Sequence, residues 1–171
     1  VELQRGAVVV DEHLQTSVPG IYAIGDVNGT SMLAHTAARE GQVAVHHITG
    51  TEDVMSYRAI PGIVYTDPEI AAVGQTEQEL RTAGIDYEVH RVPMTLSGRF
   101  IIENEQGNGF CKLLTDKEGM ILGAHLFGNG SSEILVPAIM AVEQRMKLSE
   151  LSRIVFPHPT VCEIVRSATL H

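Results

Sequence analysis

The sequence of 171 residues has no cysteines paired at CxxC or CxxxxC spacing; its two, Cys111 and Cys162, lie far apart. No local redox disulfide is therefore built from neighbouring residues, and two reduced thiols in a cytoplasmic chain are the simplest expectation. There is no basic run, and the formal net charge is -9. Such a balance disfavours non-specific binding to nucleic acid or to an anionic membrane surface. No apolar stretch approaches the ~20 residues that span a bilayer, and no signal-peptide pattern opens the sequence. Neither a nucleic-acid nor a membrane partner is expected. No G-x-G-x-x-G follows a strand-like run. Apart from the doublet His46-His47, the histidines show no metal-like grouping, and adjacent residues on a helix diverge, so no metal site is expected.

What is present is a globular composition, 44% hydrophobic and 19% charged. It fits one or two folded units with a core. The opening VELQRGAVVVDEHLQTSVPG begins on Val1 without a start or cap signal, and the chain is expected to be a piece of a longer protein. Gly6 to Val10 reads as a short strand. GIYAIGD reads as a buried, parallel-type strand ending in Gly25-Asp26. Thr30 or Ser31 can cap a helix from about Met32 to Ile48, with Leu33, Ala37, Gly41, Val45 and Ile48 on one face. The composition then shifts around TEDVMSYRA, a plausible linker.

Beyond it, IPGIVYTDPEIAAVG predicts two strands with a tight connection. Thr76 to Glu79 forms a T-x-x-E capping box that opens a helix ending near Gly84. DYEVHRVPM alternates like a strand, and GFCKLLTDKEGMILGAHLFG predicts a hairpin. Cys111 falls on its first strand and reads as a small core residue. Ser131 or Ser132 can cap a helix through ILVPAIMAVEQRM, bent by Pro137. A short helix near 148–154 and a final one after Pro159 complete the series. The expected class is α+β: a mainly antiparallel sheet with flanking helices over 53–171, preceded by the end of an α/β nucleotide-binding fold over 1–52.

Two segments carry chemistry. Asp26 sits where α/β folds bind ligands, and Gly25 before it lets a ligand approach the backbone. The helix that starts near Met32 offers its free N–H groups to negative charge. A bare Gly-Asp after a strand is equally an ordinary turn. In FPHPTVCEIVRSA, His158 stands between two prolines that restrict its backbone, and its bond to Pro159 has access to the cis state. Glu163, five residues on, can accept the second imidazole N–H and fix the tautomer, as in a triad. The competing reading makes Glu163 only the closing residue of a capping box that starts at Thr160.

The string TSVPGIYAIGDV followed by MLAHTAAREGQVA resembles the second flavin-binding motif of the pyridine nucleotide–disulfide oxidoreductases. HPT-x-x-E is similar to their active-site signature, and IPGIVYTDPEIAAVGQTEQEL, GFCKLL and ILGAHLFGNGSSEIL agree with it. The YTDPEIAAVG block and the HPT ending look most like the dihydrolipoamide dehydrogenase branch, although Cys162 stands where that branch commonly has Ser. The resemblance implies that 1–52 is the last part of an FAD-binding domain and 53–171 an interface domain that forms a homodimer. It implies that Asp26 binds the ribityl chain and that Gly25, Met32, Leu33, Ala34 and His35 approach the flavin through their backbone. It also implies that His158, braced by Glu163, serves as thiol base in the partner's active site. Dihydrolipoamide, FAD and NAD+ are then the implied reactants, and the lipoyl domain of a 2-oxo acid dehydrogenase complex the implied partner. The redox CxxxxC pair and the NAD domain are not among these residues, so the chain alone is expected neither to transfer hydride nor to hold FAD tightly. A glutathione- or mercuric-reductase-like enzyme and a non-catalytic dimerisation module remain the alternatives.

Overall fold

The strongest local pattern is alternation in the second half of the chain, and it produces the central sheet. A computed structural model describes residues 1–105 and 107–171, which divide into two compact units, Val1–Tyr57 and Arg58–His171. In the second unit, strands β3 (Gly62–Val64), β4 (Ile70–Gly74), β5 (Glu88–Pro93), β6 (Phe110–Thr115) and β7 (Ile121–Phe127) form a five-stranded sheet in the order β3-β4-β7-β6-β5. Every pairing in it is antiparallel. On β7, Ile121, Gly123, Ala124 and Leu126 are buried, while Leu122, His125 and Phe127 are less so. At Gly123 the chain passes so close to its neighbour that a Cβ would stand 2.2 Å from the Gln75 carbonyl oxygen, which only glycine permits. Cys111 on β6 is fully buried, as its position on a predicted core strand implied.

Helices of the second unit begin where side chains can satisfy free amides. In α2 (Glu77–Ala83), Thr76 and Glu79 form the predicted capping box: the Glu79 amide donates to Thr76 Oγ1 at 3.2 Å and the Thr76 amide to Glu79 Oε2 at 2.8 Å. The sequence left 94–109 without a helix, yet a 3-10 turn at Met94–Leu96 leads into α3 (Gly98–Glu103), capped by Ser97. The bent helix expected around Pro137 is two helices, α4 (Ser131–Ile134) and α5 (Val136–Glu143), with Pro137 in the first turn of the second. Proline has no N–H to donate backwards, so starting a new helix is its least costly position. Neither serine caps α4; Gly130 is its N-cap, and the Ser132 amide instead donates to Glu69 Oε2 at 2.9 Å. After α6 (Leu148–Leu151), α7 (Ile164–Ser167) ends the series. The core beneath the sheet joins Phe100, Leu113, Leu126, Leu135, Ala138, Leu151, Ile164 and Val165 among others, all at most 1% exposed.

The first unit departs further from expectation. Two-residue strands β1 (Leu3–Gln4) and β2 (Ala7–Val8) make a tight hairpin whose turn, Arg5-Gly6, has φ of 51° and 88°. The predicted strand over 20–26 is not one: apart from a single bridge, Gln15 to Tyr22, it has no ladder, and Gly25–Asn28 is a 3-10 turn. Gly20 and Gly25, at φ of 81° and 74°, interrupt the extended path at both ends. Helix α1 (Ala34–Thr49) starts two residues later than predicted, after Leu33, and no side chain caps it among the described residues. Its buried face is Thr36, Glu40, Val43 and Ala44, rotated from the predicted apolar stripe, so that Val45 and Ile48 are 55% and 63% exposed. Residues 53–57, assigned from sequence to the second domain, are fastened to the first unit. Asp53 pairs with Arg39 and His46, Met55 packs beside Leu14 and Val43, and Tyr57 reaches Glu40. The Arg39 and His46 hydrogen bonds hold the Asp53 carboxyl far below the usual carboxylate range. No helix among the described residues is long and apolar enough to cross a membrane.

Candidate functional site

In the second unit, the final segment is anchored from below. Ile164 and Val165 are fully buried, which fixes the start of α7 and with it Glu163, the residue just before. Upstream, the loop 157–160 is tied at two points. Thr160 Oγ1 donates to the Pro157 carbonyl at 2.7 Å, and buried Ser97, the cap of α3, donates through its hydroxyl to the Thr160 carbonyl at 3.0 Å. Ser97 carries no local sequence signal for this role, because its partner lies 63 residues away. The His158–Pro159 bond is cis.

This frame brings His158 and Glu163 together. His158 Nδ1 lies 3.1 Å from Glu163 Oε1 and 3.0 Å from Oε2. A carboxylate only accepts, so Nδ1 donates its proton to it and Nε2 is the nitrogen turned away from the brace. The imidazole is 79% exposed while the carboxylate is 24% exposed, so the ring faces outward from a sheltered brace. Glu163 also accepts the Thr160 amide at 3.1 Å, which is half of a capping box; Thr160 Oγ1 is turned to Pro157 instead. The two readings of Glu163 are thus compatible: one carboxylate both orients the imidazole and closes the loop. The His158 hydrogen bond, and then the Thr160 amide, hold the Glu163 carboxyl below its ordinary range. Arg166 adds to this lowering through its charge. Of the cysteines, Cys111 has its thiol pushed up to about 12 by burial, so it stays protonated and inert at neutral pH. Cys162 is half-buried and its thiol is raised by the same cause.

In the first unit, the turn Gly25–Asn28 exposes Asp26. It borders a cleft of about 670 Å³ lined also by Gln4, Arg5, Gly6, Gly29 and Met32. Met32, Leu33, Ala34 and His35 follow as the exposed approach to α1 and its first residues. Leu33, the N-cap of this 16-residue helix, makes no side-chain cap hydrogen bond, and the positive end of the helix dipole lies there. An exposed carboxylate at a cleft beside a helix N-terminus fits the polyol and electron-rich ring of a flavin. Gly25 is pressed against α1: a Cβ there would stand 3.4 Å from that of Ala37. A second residue that sequence reasoning missed is Glu40. It is fully buried and accepts the Gly25 amide at 2.6 Å and the Tyr57 hydroxyl at 2.7 Å. Its signal was a carboxylate flanked at helical spacing by Ala37, Val43 and Ala44.

Comparison with known proteins identifies the family. Residues 60–169 match the dimerisation domain of the pyridine nucleotide-disulphide oxidoreductases, and residues 1–41 match a second model, of the pyridine nucleotide-disulphide oxidoreductases themselves. The chain belongs to that family, whose members are flavin- and NAD(P)-dependent. Among curated relatives, it is 40% identical over 167 residues to the mitochondrial dihydrolipoyl dehydrogenase of Caenorhabditis elegans, covering 97% of this chain and 34% of that protein. It is 38% identical to the dihydrolipoyl dehydrogenase of Cupriavidus necator, covering 98% of this chain and 35% of the relative. Among solved structures, LpdA from Mycobacterium tuberculosis superposes with a TM-score of 0.90 at 28% identity, over 99% of this chain and 38% of the other. The Cu(II) complex of the HOCl-induced flavoprotein disulfide reductase RclA from Escherichia coli superposes at 0.86 with 26% identity, over 98% and 39%. The chain therefore spans about a third of the length of the curated relatives it matches.

Proposed function

We propose that the whole protein is a dihydrolipoamide dehydrogenase, oxidising dihydrolipoamide and reducing NAD+, and that this chain supplies its thiol base and part of its flavin contact. The observation that carries the reading is the His158 Nδ1 contact to both oxygens of Glu163, at 3.1 and 3.0 Å. Support comes also from the curated relatives, which are named dihydrolipoyl dehydrogenase. Nε2 of His158, on the exposed ring, takes a proton from a substrate thiol. The thiolate so formed then attacks a redox disulfide carried outside these residues. Protonated His158 is stabilised by ionised Glu163 and returns the proton as the exchange resolves. Bound FAD would supply the two-electron carrier between dithiol and NAD+. Asp26 would hold the ribityl hydroxyls of that FAD, and the backbone at Met32, Leu33, Ala34 and His35 would offer its polar groups to the ring. The protein works as a homodimer, in which His158 of one subunit serves the flavin of the other. A lipoyl domain of a 2-oxo acid dehydrogenase complex is the natural macromolecular substrate. The discriminating experiment gives the full-length protein NAD+ with dihydrolipoamide, then NADPH with glutathione disulfide or mercuric ion. Turnover with dihydrolipoamide alone is expected; turnover only with one of the others would move the protein to that branch.

The brace has its own signature. A carboxyl whose folded value is lowered is ionised at neutral pH. Its stabilisation is complete above the ordinary carboxylate range of about 4.3 and disappears as pH falls through the lowered value. Glu163 therefore stays charged across the range of about pH 5 to 8 where histidine titrates. Replacing Glu163 by Gln removes the charge that favours imidazolium. Turnover with dihydrolipoamide should fall roughly tenfold to a hundredfold, part of the ~10²–10⁴ that a general base supplies, and the acid limb of the kcat/KM profile should move to lower pH. An unchanged profile would mean that the carboxylate only closes the loop.

A further inference from the structure

Glu40 is a charged side chain in the middle of α1, 0% exposed, for which the acid–base pair has no use. A buried carboxylate is costly unless its oxygens are hydrogen-bonded, and both are: Oε2 by the Gly25 amide at 2.6 Å and Oε1 by the Tyr57 hydroxyl at 2.7 Å. Gly25 and Thr30 are the two ends of the segment that carries Asp26. Between them the turn is closed by the Gly29 amide on the Asp26 carbonyl at 3.0 Å and the Thr30 amide on Asn28 Oδ1 at 2.9 Å. One buried carboxylate, itself held by a phenol, thus fixes the segment at its start.

We infer that Glu40 is the positioning residue of the flavin contact: held in place by Tyr57, it fixes the Gly25 amide and so sets where the Asp26 carboxylate points. The inference rests on the reading of Asp26 as a ribityl ligand. Glu40 does not itself touch the cofactor. Its effect is transmitted by the backbone of the four-residue turn Gly25–Asn28. An apolar residue would fill the same space in α1 but would leave the Gly25 amide and the Tyr57 hydroxyl without this acceptor.

The test uses the full-length flavoprotein and four variants: Glu40→Asp, Glu40→Gln, Tyr57→Phe and Asp26→Ala. FAD affinity is read from the fluorescence of released flavin, its seating from visible circular dichroism, and folding from the melting temperature of the apoprotein. Glu40→Asp is too short to reach both donors and should weaken FAD binding by roughly tenfold or more, the loss expected for a hydrogen bond to a charged group, with a changed flavin dichroism. Glu40→Gln keeps an oxygen for Gly25 and a second polar atom for Tyr57, and should stay within about threefold of wild type. Tyr57→Phe, which leaves the helix untouched if Glu40→Asp should not fold, is expected to weaken FAD by about threefold or more. Wild-type affinity and dichroism in Glu40→Asp and Tyr57→Phe, while Asp26→Ala releases FAD, would overturn the inference and leave the flavin reading standing. Equal losses in Glu40→Asp and Glu40→Gln, in step with falling apoprotein melting temperature, would overturn it as well, as a merely structural role. Tight FAD binding by Asp26→Ala would remove the flavin reading and the inference together.

Discussion

Replacing His158 by Gln in the full-length protein should cut turnover with dihydrolipoamide by about 10²- to 10⁴-fold, the range that a positioned general base contributes. Glutamine can still donate toward Glu163, so the loop 157–160 and the start of α7 should survive, held by Ser97, Thr160 and the buried pair Ile164 and Val165. What disappears is a basic nitrogen on the outward side of the ring. A dithiol at neutral pH is mostly protonated, and only its thiolate attacks a disulfide, so the loss falls on the step that begins with sulfur. Electron flow from NADH to an artificial acceptor needs no thiol proton and should be almost unaffected. Steady-state kinetics with both acceptors separates a missing base from a damaged fold: loss of both activities together would indicate the latter.

Replacing Phe100 by Ala should destabilise the second unit by about 3–5 kcal/mol. Phe100 is 1% exposed in the main core, and its ring lies within 3.4 Å of where a Cβ would stand at Gly128 and at Gly107. Neighbours whose own side chains are absent there cannot move in to fill the hole. Against a total stability of about 5–15 kcal/mol, such a loss should lower the melting temperature of this chain by roughly 10 °C or more. The effect also reaches the site. Phe100 donates its amide to Ser97 Oγ at 3.2 Å, and the Ser97 hydroxyl holds Thr160. Thermal melts by circular dichroism give the first number, and the dihydrolipoamide KM of the full-length variant below its melting point gives the second. A melting temperature within a few degrees of wild type would mean that α3 is peripheral.

Much of this was legible where the determinant is local. The capping box of α2 needs only Thr76 and Glu79, the β6–β7 hairpin only alternation around an exposed turn, and the His158–Glu163 contact only five residues and two prolines. Long-range partners were not legible. Helix α4 takes its first-turn acceptor from Glu69, and the loop bearing His158 is clamped by Ser97. The extended run over 20–26 looked like a core strand because its residues are apolar, but a strand needs a ladder, and glycines with positive φ at 20 and 25 turn the chain away from one. The face of α1 was misread for a related reason. Apolar spacing selected Val45 and Ile48, whereas a charged residue, Glu40, occupies the interior because two donors from distant segments meet it there.

The most direct test of the thiol base is rapid mixing of the oxidised His158→Gln flavoprotein, first with dihydrolipoamide and then, separately, with NADH, following flavin reduction optically. The expected result is reduction by dihydrolipoamide slowed by at least about a hundredfold, beside reduction by NADH at the wild-type rate. Reduction by dihydrolipoamide at the wild-type rate would contradict it and leave His158 and Glu163 as a loop closure only.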